Sequence, residues 1–170
     1  MSGNAYDGIL IACYGDPGLY AAKEICDCPV LGIAETSIAM SFLLGNRFSI
    51  LAASEKAVPM MEHMVAQYGM DHRLAGVFPL NMSVLDAEAN RGETVSRLIE
   101  EGKKAVSKGA EVLILGCAGM TGFGGPVSQA LGIPVMDPVE TSFLTLEMMC
   151  RGGFKTSKNG LYKPPGKKRI

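Results

Sequence analysis

No stretch of the sequence approaches the roughly 18 consecutive apolar residues that cross a bilayer, and the opening MSGNAYDG has neither the basic start nor the apolar run of an export signal. A cytoplasmic chain with no membrane contact is the expectation. A charge surplus is also missing: the formal net charge is -1, which leaves no basic face for nucleic acid. The one asymmetry is a tail from Lys155 onward, holding Lys158, Lys163, Lys167, Lys168 and Arg169 without an acid. With Tyr162 as its only interleaved aromatic, that tail reads as a solvated end. The five cysteines are an odd number in a chain without an export signal, so free thiols in a reducing compartment are expected rather than a disulfide framework. Zinc has no candidate ligand set, because Cys26 and Cys28 are spaced C-x-C and neither His63 nor His72 is near them in sequence. No P-loop or G-x-G-x-x-G follows a strand. No cofactor is expected.

What is present is a core and a period. At 170 residues and 48% hydrophobic content, the chain can bury a core as one compact unit or two small lobes. Short apolar runs at 9–13, 29–33, 48–53, 75–78, 112–117 and 133–137 alternate with helical periodicity, which predicts parallel pairing in an α/β fold. Asp16-Pro17 is expected to open one helix as N-cap and first residue, Ser54 to cap another, and Asp137-Pro138 with Glu140 to form a capped start. Between Glu93 and Gly109, Val95, Leu98, Ile99, Gly102, Ala105 and Val106 recur at helical spacing, and Gly109 suits the end of that helix.

The most informative feature is an internal repeat. ILIACYG at 9–15 matches VLILGCAG at 112–119, and PVLGIAETS at 29–37 matches PVMDPVETS at 134–142. Cys13 falls on Cys117 at an offset of 104, and Glu35-Thr36-Ser37 on Glu140-Thr141-Ser142 at an offset of 105. Each copy reads strand, cysteine, glycine turn, helix, strand, acid-Thr-Ser, helix.

In open parallel sheets, ligands bind beyond the carboxyl ends of the strands, and both cysteines are expected there, each as the last residue of its strand. Two lobes related by a pseudo-twofold would set the thiols across one cleft. That arrangement suits inversion of a carbon acid, in which a proton leaves one face and another arrives on the opposite face. A thiol has an ordinary pKa of roughly 8.5 that a nearby helix N-terminus can lower, and backbone N–H groups of the glycine turns could hold the developing enolate oxygen. Cys26, Cys28 and Cys150 have no repeat partners and are read as inert. Glu35 and Glu140 are candidates to touch substrate or each other, although capping accounts for them equally. His63 and the methionines around it read as structural.

ACYGDPGL at 12–19, GIAETS at 32–37, LGCAGM at 115–120 and FKTS at 154–157 resemble the hydantoin and allantoin racemases of the aspartate/glutamate racemase superfamily. The resemblance implies an α/β fold of two pseudo-symmetric parallel-sheet lobes, no cofactor, and catalytic cysteines at Cys13 and Cys117, with Tyr14, Gly15, Ala118 and Gly119 lining the site. The implied substrate is a small cyclic ureide such as a hydantoin or allantoin. The expected division is a partial first lobe over 6–45, a second lobe over 46–153 and a basic tail over 154–170. Relative to the family pattern, the first lobe is incomplete by two strand–helix units. The strand at 8–13 should then present an unpaired edge, which a homo-oligomer would cover; otherwise the reading frame is truncated or misassigned. A related decarboxylase or isomerase, or an inactive or regulatory remnant of the fold, are the alternative functions. The loop at 81–91 is expected to help set side-chain preference.

Overall fold

The computed structural model describes residues 6–166; Lys167, Lys168 and Arg169 of the tail lie outside them. All six apolar runs form strands: β1 Ile9–Ile11, β2 Val30–Gly32, β3 Phe48–Ala52, β4 Leu74–Pro79, β5 Val112–Leu115 and β6 Val135–Met136. Every pairing among the described residues is parallel, and the strands form two sheets, as a fold of two lobes requires. β1 pairs with β2, and the other four run in the order β4-β3-β5-β6. β1 has no strand on its other edge among the described residues. Among the described residues, seven α-helices lie between and after the strands: α1 Leu19–Ile25, α2 Ile33–Ser41, α3 Val58–Gln67, α4 Val84–Ala89, α5 Arg91–Ser107, α6 Gly124–Leu131 and α7 Pro138–Arg151.

The four-stranded sheet is covered on both faces, as its continuous apolar strands require. Alternation along β5 sends Val112 and Ile114 to one face and Leu113 and Leu115 to the other, all fully buried. The second face packs on α5 and α6 through Leu98, Ala105, Phe123 and Val127. On the helix α5, Leu98, Gly102 and Ala105 are buried as the spacing predicts, and Gly109 adopts a positive φ of 92° beyond its end. The first face joins the two sheets: Ile33, Ala34 and Ile38 of α2 share one core with Ile50, Ile114 and with Met61, Met64 and Val65 of α3. The methionines of α3 thus split between this core and the surface, where Met60 is 43% exposed.

Helix α7 follows β6 yet lies on α2 and along β1 and β2. The helix that closes the second repeat copy therefore covers the first sheet. Its outer side leaves Phe143, Leu144 and Met148 exposed. The tail is not free. Lys158 donates from Nζ to the carbonyls of Lys23, Glu24 and Cys26 at 2.5, 3.2 and 2.7 Å, and Tyr162 meets the Tyr20 ring edge-on at 5.9 Å. The last turn of α1 exposes unpaired carbonyls that an ammonium satisfies, so the tail is latched there at Lys158 while Lys155 and Lys163 stay exposed.

Candidate active site

β1 ends at Ile11 and β5 at Leu115, so Cys13 and Cys117 are not terminal strand residues but sit in bends two positions further on, at the carboxyl ends of their strands. Their placement is the same in both copies. Cys13 is exposed, and Cys117 is partly buried. The two turns meet one helix at consecutive residues. Met60 Sδ lies 3.8 Å from where a Cβ on Gly15 would stand, and Met61 Cε lies 3.0 Å from that point on Gly116. The strand-end Gly116 has no room for a side chain, since a Cβ there would be 2.8 Å from the Leu51 carbonyl oxygen.

The surroundings of the two cysteine turns differ. Gly15 and Asp16 border a cleft of about 260 Å³ whose far wall is Met64, Gln67 and Tyr68 of α3. Cys117 and Gly119 line a separate small cavity with Ala53, Leu80, Met82 and Thr94. Its roof is α4, which lies over the Ala118–Met120 turn. The segment at 81–91 is therefore largely helical, with Ser83 Oγ accepting from the Asp86 N–H at 3.1 Å as a true N-cap.

Of the expected lining residues, Gly15, Ala118 and Gly119 are at least partly accessible, whereas Tyr14 is buried. Its ring joins the core between the sheets, its hydroxyl lies 3.5 Å from Ser37 Oγ, and burial pushes the phenol well above its ordinary range. Tyr14 supports the Cys13 turn from beneath, with its side chain in the core. Glu35 pairs with Lys23 and not with Glu140. Both of its carboxylate oxygens bind the buried Lys23 ammonium, at 2.5 and 2.6 Å. Cys150 donates to the Asp7 carbonyl at 3.2 Å, and burial pushes the Cys28 thiol up.

Asp16 is the residue that sequence reasoning misplaced. It does not cap a helix starting at Pro17, because α1 starts at Leu19 behind Gly18, whose φ is 74°. Asp16 instead turns back with φ 43°, and its carboxylate accepts from the N–H groups of Ala34 at 3.1 Å and Glu35 at 2.8 Å. It thereby caps α2. The signal that could have located this role is the missing cap on α2 itself, where Gly32 stands at the N-cap position.

A family model described as Asp/Glu/Hydantoin racemase matches residues 2–144. The chain belongs to this racemase family. A hydantoin racemase of Pseudomonas sp. (strain NS671) is 42% identical over 163 residues, covering 95% of this chain and 66% of its own. The solved allantoin racemase of Klebsiella pneumoniae superposes with a TM-score of 0.90 at 33% identity over 98% of this chain and 68% of that one. The allantoin racemase of Pseudomonas fluorescens gives 0.92 at 29% identity, covering 99% and 72%. This racemase-family chain thus spans about two thirds of the length of such relatives.

Proposed function

We propose that the chain carries the proton-exchange machinery of a racemase for a small cyclic ureide of the hydantoin or allantoin class. The observation behind this is the matched position of Cys13 and Cys117, each two residues past a parallel strand, with their turns against adjacent residues of α3.

In this reading, one sulfur, as thiolate, takes the proton from the ring carbon between the carbonyl and ring nitrogen. The electron pair moves into the carbonyl to give an enolate. The opposite thiol then delivers its proton to the other face, leaving the enzyme with thiol and thiolate exchanged. Backbone N–H groups of the two glycine turns stabilise the enolate oxygen. No other group is needed for proton balance.

The test follows the decay of circular dichroism of an enantiopure 5-substituted hydantoin and of allantoin with wild type, Cys13→Ser and Cys117→Ser. Racemisation above the spontaneous rate, lost by about 10²-fold or more in each variant, is the expected result. A rate unaffected by both substitutions would remove the two-thiol reading.

A further inference from the structure

The two copies hold their cysteine turns by the same device built from exchanged positions. In the first copy the carboxylate sits in the turn: Asp16 reaches from the Cys13 bend to the first N–H groups of α2, at Ala34 and Glu35. Its own N–H donates to the Cys13 carbonyl at 2.9 Å, which closes the bend. In the second copy the carboxylate sits at the helix: Asp137 caps α7, accepting from Val139 and Glu140 N–H at 3.0 and 3.2 Å. Asp137 also reaches back to the Cys117 turn, where Gly122 N–H donates to it at 2.8 Å. In the sequence repeat, Gly32 is the counterpart of Asp137. The glycine is what makes room, since a Cβ at Gly32 would overlap the Asp16 carboxylate.

Each copy therefore has one buried carboxylate tying a cysteine turn to a helix N-terminus, and the two helices so tied, α2 and α7, pack on each other. The geometry points to Asp16 and Asp137 as paired positioning residues that fix the two thiol turns to a common helix pair. This rests on the two-thiol reading for its meaning in catalysis, but not for its structural content. A carboxylate that accepts two or three N–H bonds while buried is held in a single geometry. Displacing a reacting group by about 1 Å can cost about 10²-fold in rate, so slack in either clamp should appear in turnover before it appears in substrate binding.

The exchanged positions supply a rescue. Asp16→Gly removes the first clamp, and Gly32→Asp alone forces two carboxylates into one space. The double change Asp16→Gly/Gly32→Asp transplants the second copy's arrangement into the first.

The experiment uses the full chain below its melting temperature and measures site-resolved iodoacetamide alkylation of Cys13 and Cys117 by mass spectrometry, alongside kcat and KM for the hydantoin. Asp16→Asn and Gly32→Ala are expected to change the Cys13 alkylation rate by about 3-fold or more with Cys117 nearly unmoved, and Asp137→Asn to do the reverse. kcat should fall by about 10-fold with KM within about 2-fold, and the double exchange should bring both readouts back toward wild type. Gly32→Ala keeps the carboxylate and tests the clamp should Asp16→Asn fail to fold. Unchanged alkylation and kcat beside a lowered melting temperature would make the carboxylates mere helix caps and overturn the proposal, as would equal effects on both thiols. Variants that shift alkylation in the expected pattern, beside a wild type that turns over no ureide, support the clamps and sink the two-thiol reading instead.

Discussion

The two copies of the repeat share a plan and differ in how they compensate polar groups, and the difference shows which residues are scaffold. Glu35 in the first copy neutralises the buried Lys23, whereas Glu140 in the second has no ion-pair partner among the described residues. Ser37 donates to the Ile33 carbonyl at 2.7 Å and lies near the Tyr14 hydroxyl. Its counterpart Ser142 is fully buried with no partner for its hydroxyl among the described residues, and Ala118 stands where the first copy has Tyr14. Helix α1 ends in extended backbone at Cys26 and borrows Lys158 from the tail, while α6 ends on the left-handed Gly132 and needs no outside donor. What both copies keep is the position of the cysteine.

The largest effect expected from breaking this comparison is at the acid. Glu35→Gln strands an ammonium in the core and should lower unfolding free energy by about 3 kcal/mol, whereas Glu140→Gln should stay within about 0.5 kcal/mol. Urea unfolding of the two variants side by side measures the gap. Lys158→Ala comes next, at about 2 kcal/mol, since ammonium bonds to helix-end carbonyls are charge-assisted. Amide hydrogen exchange should quicken around 19–26 and stay unchanged around 124–132.

Much of this was legible before any coordinates, and the reasons are local. Strand cores such as VLIL at 112–115 announce themselves because both faces are buried, and Asp137-Pro138 is a helix start whose cap bonds lie within three residues. The two cysteines stood out through the repeat. What stayed hidden depends on contacts distant in sequence. Asp16 caps a helix 18 or 19 positions away, Lys158 reaches back more than 130 positions, and the pairing of Lys23 with Glu35 has no periodic trace. The split into two sheets was legible only through the family resemblance, since parallel strands carry no mark of their neighbours. Composition made the tail look solvated, as Lys155 and Lys163 are, but gave no sign that Lys158 docks on α1.

Two smaller effects sharpen the comparison. Ser37→Ala should cost about 1 kcal/mol by removing a buried bond and leaving the Tyr14 phenol unpaired, while Ser142→Ala should be neutral or stabilising by up to about 1 kcal/mol. Thermal melts of both serine variants decide it. The smallest concerns the first clamp. Burial pushes the Asp16 carboxyl above the usual aspartate range, against the pull of its bonds from the Glu35 and Ala34 backbone. The folded chain then binds that proton more readily than the unfolded one, so this group's contribution to stability rises as pH falls from its raised value toward the ordinary value of roughly 3.9. The melting difference between wild type and Asp16→Asn should therefore shift in favour of wild type on acidification through that window.

The most direct test of opposed thiols is the isotope content of a single enantiomer of a 5-substituted hydantoin during its early conversion in deuterium oxide. Two bases on opposite faces predict that the newly formed enantiomer carries solvent deuterium at the ring carbon while the remaining substrate keeps its protium. Deuterium entering the unconverted enantiomer as fast as the product, above the uncatalysed exchange, would mean one group serves both faces and would contradict the account.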